Sequence, residues 1–209
     1  MTTEMSASHL QAHDFQVEPA SRARLLQQTP MILWFTGLSG AGKSTIANHV
    51  ETRLHLSGRL TYILDGDAVR LGLCKDLGFT DRDRHENIRR VAEVAKLMAD
   101  AGIVVLVCFI SPFQADREIA RSTAGGHAFA EIHAHASLSV AEARDPKGLY
   151  RLARRGVIQH FTGIDSPYEA PVAPDVFIDT DLVSADQGAD AVIEWIMKND
   201  TRAGARRKA

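Results

Sequence analysis

Between the apolar run Met31-Ile32-Leu33-Trp34-Phe35 and the apolar positions Ile46, Val50 and Leu54 lies Gly37-Leu38-Ser39-Gly40-Ala41-Gly42-Lys43-Ser44. It fits G-x-x-x-x-G-K-[ST] in full, and the flanks predict a buried strand before it and a helix after it, stopped near Gly58. Glycines let such a loop bend so that backbone N–H groups face inward around phosphate oxygens, and the helix N-terminus adds positive dipole character. Lys43 is then placed for β- and γ-phosphates and the Ser44 hydroxyl for Mg²⁺. A chance match in a glycine-rich turn is the alternative, but the strand-loop-helix context argues for a nucleoside triphosphate site. A buried strand leading through this loop into a helix is the first alternation of an α/β fold.

The 209 residues suit one domain with short tails, and a 45% hydrophobic, 24% charged composition allows a core of ordinary size. With 24 basic and 26 acidic side chains, bulk charge predicts neither nucleic-acid nor membrane binding. The longest apolar run, Ile103 to Ile110, is too short to span a bilayer. Cys74 and Cys108, far apart in sequence, suggest no disulfide framework and fit a reducing cytosol. We divide the chain into an N-terminal extension (1–29), loosely docked or mobile with weak helical character from Ser21 to Gln28, a kinase-type domain (30–199) and a basic tail (200–209) expected to be disordered. Further strands are predicted at Leu60 to Leu64, Ile103 to Ile110, Ala128 to His133 and Val176 to Asp179. Helices are predicted from Arg84 to Ala101, Gln114 to Ser122 and Ala189 to Lys198, with a loop from Leu71 to Arg84. About five parallel strands with helices on both faces follow, a three-layer sandwich.

In such a sheet ligands bind beyond the carboxyl ends of the strands. That rule selects the P-loop, Asp65-Gly66-Asp67 and Ile110-Ser111-Pro112. Asp65 and Asp67 are candidates to hold Mg²⁺, directly or through water, or to accept a proton from an attacking hydroxyl. Asp67 alone reads equally well as a helix N-cap. Arg70 and Arg84 flank the crevice and carry guanidinium forks suited to phosphate or sulfate oxygens, whereas Arg89 and Arg90 read as a solvated face. Phe79 and Phe161, in otherwise polar loops, are small local cores or stacking surfaces for a purine. Arg144 to Arg155 is a basic segment bounded by Gly and Pro and opens a lid of about residues 144–170 that would cover the phosphates. His133 and His135 share one face of a strand end and, lacking a third ligand, read as a surface pair rather than a metal site.

The blocks Gly37 to Thr45, Leu64 to Asp67, Asp76 to Phe79, Glu86 to Leu97, Phe109 to Phe113, Arg144 to Tyr150 and Phe161 to Pro171, in this order, resemble the adenylylsulfate kinase family from about Ile32 to Thr180. The P-loop is shared by many NTPases; the later blocks are more specific. The resemblance implies transfer of the ATP γ-phosphoryl group to the 3′-hydroxyl of adenosine 5′-phosphosulfate in sulfate activation, with Mg²⁺, in a cytoplasmic homodimer. It implies that Gly37 to Thr45, Arg144 and Lys147 bind ATP, and that Lys43, Asp65, Asp67 and Ser111 carry the chemistry. Asp65, Arg70, Arg84, Asn87, Lys147 and the Ile110-Ser111 backbone would bind adenylylsulfate, with its adenine between Phe79 and Phe161. Ser111 matches a serine described in the family as a phosphorylated intermediate; direct in-line transfer is preferred here, since a P-loop kinase needs positioning and charge stabilisation rather than a relay. Ala68 and Cys74 stand where the family usually has Asn, which bears on acceptor affinity. The length predicts a free-standing kinase. Two alternatives are a kinase of another small hydroxyl acceptor, such as shikimate or gluconate, and a nucleotide-dependent regulatory protein. The paired phenylalanines and the lack of an N-K-x-D-like motif disfavour these.

Overall fold

The computed structural model describes residue 13 and residues 15–200. Five parallel strands form one sheet, β1 (Met31–Thr36), β2 (Thr61–Asp65), β3 (Val104–Cys108), β4 (Ala128–His135) and β5 (Val176–Asp179), in the order β2-β3-β1-β4-β5. Strand β1 is central and fully buried, and its side chains alternate between two cores. Met31, Leu33 and Phe35 pack with Ile46 and Val50 of α2 (Lys43–Leu56) and Val192 and Ile196 of α8 (Ala185–Asn199). Ile32 and Trp34 pack with Ile88, Val91 and Ala95 of α4 (Asp81–Asp100) and Ala120 of α5 (Gln114–Thr123). Burial on both faces explains why β1 and β3 read as unbroken apolar runs.

The three-layer α/β sandwich read from the sequence is the observed fold. Boundaries differ where local capping decides them. Helix α4 begins three residues before Arg84, because the Thr80 side chain accepts from the Asp83 N–H as an N-cap. Helix α8 begins at Ala185 behind a capping box formed by Ser184 and Gln187. Short helices not expected from the sequence are α3 (Gly66–Leu71), just before the expected loop, α6 (Leu138–Arg144), capped by Ser137, and one more within the lid segment. All are too short to show apolar periodicity. Within the N-terminal extension, α1 (Pro19–Leu25) is followed by Gln28, whose amide donates to the Leu60 and Gly102 carbonyls at 2.9 and 2.5 Å and accepts from the Leu60 N–H at 2.8 Å. Residues 18–28 are therefore stitched to the sheet edge. Residues 1–12 and 14 of that extension, and 201–209 of the basic tail, lie outside the described residues.

Candidate active site

The P-loop joins β1 to α2 at the carboxyl edge of the sheet. Gly37 has φ +146°, and a Cβ there would come within 2.2 Å of the Ala134 carbonyl oxygen. Gly40, at φ +76°, would place one 2.9 Å from the Ala141 carbonyl oxygen. Only glycine fits at either position. The Lys43 ammonium donates to the Gly37 and Leu38 carbonyls at 2.9 and 2.7 Å. Burial lowers its pKa from 10.5 to about 8. Burial raises Cys108, below it, to about 12, so that thiol is neutral and inert. Cys74 is also a buried free thiol, raised by desolvation.

The two acids of the second strand end take different partners. Asp65 is the N-cap of α3: one carboxylate oxygen accepts the Asp67 N–H at 3.0 Å and the other accepts the Ser44 hydroxyl at 3.1 Å. The cap reading of this turn thus holds for Asp65 rather than Asp67. Asp67 is exposed and pairs with the Lys147 ammonium. Among the described residues no three His, Cys, Asp or Glu side chains converge as a metal cluster. A hydroxyl and a carboxylate in contact nevertheless form an oxygen donor set that suits Mg²⁺ completed by substrate phosphates and water.

One cavity of about 820 Å³ runs from Ser39, Lys43 and Ser44, past Asp65 and Asp67, to Arg70, Phe79, Arg84 and Asn87. Ile110, Ser111, Arg144, Lys147 and Phe161 also line it. Gly37, Leu38 and Ala41 do not: the first two offer carbonyls to Lys43, and Ala41 is fully buried against the lid cluster. Phe79 is exposed under the Arg70 guanidinium, 4.4 Å from its ring centre, and Arg70 donates to the Gly78 carbonyl at 2.8 Å. Phe161 is buried and meets Tyr150 edge-on at 4.9 Å. Arg84 is buried and donates to the Phe79 carbonyl at 3.0 Å, to the Thr162 hydroxyl at 2.9 Å and to the His160 carbonyl. The Asn87 side-chain oxygen is buried with no partner among the described residues. An orphaned acceptor on a cavity wall is what a ligand donor would satisfy.

The lid segment is anchored at both ends. Arg144, at the end of α6, donates to the Thr180 carbonyl at 2.5 Å and the Thr180 hydroxyl at 3.0 Å. In α7 (Leu149–Arg154) Tyr150 is buried and its phenol donates to the Ser39 carbonyl of the P-loop at 2.9 Å. Asp145 accepts the Tyr150 and Arg151 N–H groups at 3.1 and 3.2 Å, holding the α7 start. Downstream, Glu169 accepts the Gln114 N–H at 2.7 Å at the start of α5. Tyr150 and the cavity-lining Thr162, Thr180 and Val183 were not among the site residues expected from the sequence. Tyr150 alone gave a signal, an aromatic inside a basic segment. The histidine pair is not a surface pair: His133 is buried, packs edge-on against Phe177 at 5.5 Å, and has its pKa lowered to about 4 by burial, then by His135 and Arg117.

A strand-anchored P-loop, a paired acid and a cavity lined by Phe79 and Phe161 are thus joined in one crevice. The family described as Adenylylsulphate kinase matches residues 29–179. The chain belongs to the adenylylsulphate kinase family. The adenylyl-sulfate kinase of Aeromonas hydrophila is 57% identical over 190 residues, covering 91% of this chain and 94% of that protein. The bifunctional enzyme NodQ of Azospirillum brasilense is 55% identical over 190 residues, which span 91% of this chain but only 31% of NodQ. The Mycobacterium tuberculosis APS kinase, solved in complex with AMPPNP and APS, superposes with a TM-score of 0.79 at 48% identity, covering 81% of this chain and 98% of that one. No helix among the described residues is long and apolar enough to cross a membrane.

Proposed function

We propose that this adenylylsulphate kinase family member transfers the γ-phosphoryl group of ATP to the 3′-hydroxyl of adenosine 5′-phosphosulfate, giving ADP and 3′-phosphoadenosine 5′-phosphosulfate. The observation that carries the reading is the single cavity joining Lys43 and Ser44 to Phe79, Arg84 and the unpartnered Asn87 oxygen. The P-loop amides hold the triphosphate. Lys43 leaves the Gly37 and Leu38 carbonyls for the β- and γ-phosphate oxygens, where its charge stabilises a loose transition state. Ser44 and Asp65 hold Mg²⁺, which when bound neutralises phosphate charge. Asp65 keeps the Ser44 hydroxyl oriented, and Asp67 stands beside it for the acceptor hydroxyl. The aromatic faces of Phe79 and Phe161 take the acceptor adenine, and Arg70, Arg84 and Asn87 its polar groups. Lys147, released from Asp67, brings charge to the phosphates as the lid excludes water. Arg144 lies toward the nucleotide base. The Ser111 hydroxyl accepts the Trp34 indole N–H at 3.0 Å inside the protein, which favours direct transfer with Ser111 shaping the acceptor floor. A cytoplasmic homodimer completes the reading.

The test is product identification. Purified protein with Mg-ATP is offered adenylylsulfate, shikimate and gluconate, and nucleotides are separated by chromatography. Phosphorylation of adenylylsulfate alone is the expected result; transfer to either control, or to none, refutes it.

A further inference from the structure

The residue at the acceptor floor, Ser111, has φ +45°, a left-handed conformation unusual for a residue other than glycine. Three side chains from two elements, β1 and α5, hold it there. Trp34 of β1 donates its indole N–H to the Ser111 hydroxyl at 3.0 Å. Thr36, at the end of β1, donates to the preceding carbonyl, that of Ile110, at 2.6 Å, while the Tyr168 phenol meets the Thr36 hydroxyl at 3.0 Å. Arg117 of α5 donates to the Ser111 carbonyl at 2.8 Å and to Glu131 of β4 at 2.6 Å. The Arg117 side chain is 2% exposed, and its remaining terminal nitrogen has no partner among the described residues. A buried charge pair is seldom kept for stability, because desolvation offsets its attraction. Here it points the guanidinium at one backbone carbonyl beside the cavity. Trp34 is itself immobilised between Phe109 and Phe129, with ring centres 6.5 and 6.1 Å away. Backbone strain at such a place persists only where surroundings over-determine it.

We infer that Arg117, with Glu131 behind it, and Trp34 are positioning residues for phosphoryl transfer: they lock Ser111 left-handed so that the Ile110-Ser111 backbone presents a fixed floor to the acceptor. The inference rests on the acceptor being adenylylsulfate. None of the three side chains lines the cavity, so they act through the backbone they hold.

The experiment is steady-state kinetics with Mg-ATP and adenylylsulfate on the full chain and on Trp34→Phe, Arg117→Lys and the double variant Arg117→Met/Glu131→Gln, which leaves no unpaired buried charge. The unmodified chain tests the assigned reaction first; failure there refutes that reading before any variant is scored. The double variant is expected to raise the adenylylsulfate KM at least tenfold with the ATP KM within about twofold. Trp34→Phe, which keeps the ring stack, and Arg117→Lys, which keeps charge without the fork, are expected to raise it three- to tenfold. Combining Trp34→Phe with Arg117→Lys should cost less than the product of the two, since both act on one residue. Unchanged adenylylsulfate KM in the folded single variants overturns the inference. So does a loss shared equally by both substrates, which would mark a purely structural role.

Discussion

Lys43 shows how one residue links burial to binding. Its folded pKa of about 8 lies below the 10.5 of the free side chain, chiefly through desolvation. Between these values the unfolded chain holds a proton that the folded chain lacks, so this group makes stability rise with pH across that window. Phosphate oxygens at the P-loop reverse the balance by favouring the ammonium. Mg-ATP binding at pH 8.5 should therefore take up a fraction of a proton, read by calorimetry in buffers of different ionisation heat. The uptake should fall toward zero in Lys43→Ala, with transfer abolished. Equal uptake in the variant would assign the proton elsewhere. The position of Lys43 was legible because the motif fixes both its type and its place. The partners of Arg84 and Asp67 were less so. Each was read for its charge, but Arg84 is spent on the Phe79 and His160 carbonyls and Thr162, and Asp67 on Lys147. Those partners are as far as 80 residues away, and no local pattern encodes them.

At the scale of elements, Arg84 is the tie between α4 and the 160–162 loop, and so between the two aromatic walls of the cavity proposed for the acceptor. Phe79 sits at one end of its hydrogen bonds and Phe161 beside the other. Arg84→Ala removes three donors from groups that are partly buried, at a cost of about 2 kcal/mol. For a chain of this size that lowers Tm by roughly 4–8 °C. Because both walls loosen together, the adenylylsulfate KM should rise tenfold or more while the ATP KM stays within about threefold. Thermal melts and two-substrate kinetics check this. A rise confined to ATP would put Arg84 on the wrong side of the cavity. The long elements were readable from the sequence because β1, β3 and α4 bury continuous or 3.6-periodic apolar faces. Helices α3, α6 and α7 were not, since six or seven residues carry no period. They are set by caps instead: Asp65, Ser137 and, for α7, the Asp145 carboxylate.

At the scale of the molecule, the sheet, the P-loop and the lid meet through a third, small core of Ala41, Ala136, Ala141, Tyr150, Ala153 and Phe161. The basic lid is therefore not a free flap hinged at its ends. Its first helix is packed on the P-loop, and burial raises the Tyr150 phenol to about 12, keeping it a donor to the Ser39 carbonyl. Movement of the lid and geometry of the P-loop are then coupled through the Tyr150 bond to Ser39, a longer one from Arg144 to the Gly40 carbonyl at 3.4 Å, and the packing of Ala41 in this core. Tyr150→Phe separates them: the ring keeps its edge contact with Phe161, and only the bond to Ser39 is lost. Stability should fall by about 1 kcal/mol, a Tm loss of roughly 2–4 °C. If the coupling matters, the ATP KM should rise about three- to fivefold. Hydrolysis of ATP without acceptor should also rise relative to transfer, because a looser lid admits water at the phosphates. A variant with the expected loss of Tm but unchanged ATP KM and unchanged hydrolysis would show that Tyr150 is a core residue only. The lid would then close independently of the loop beneath it.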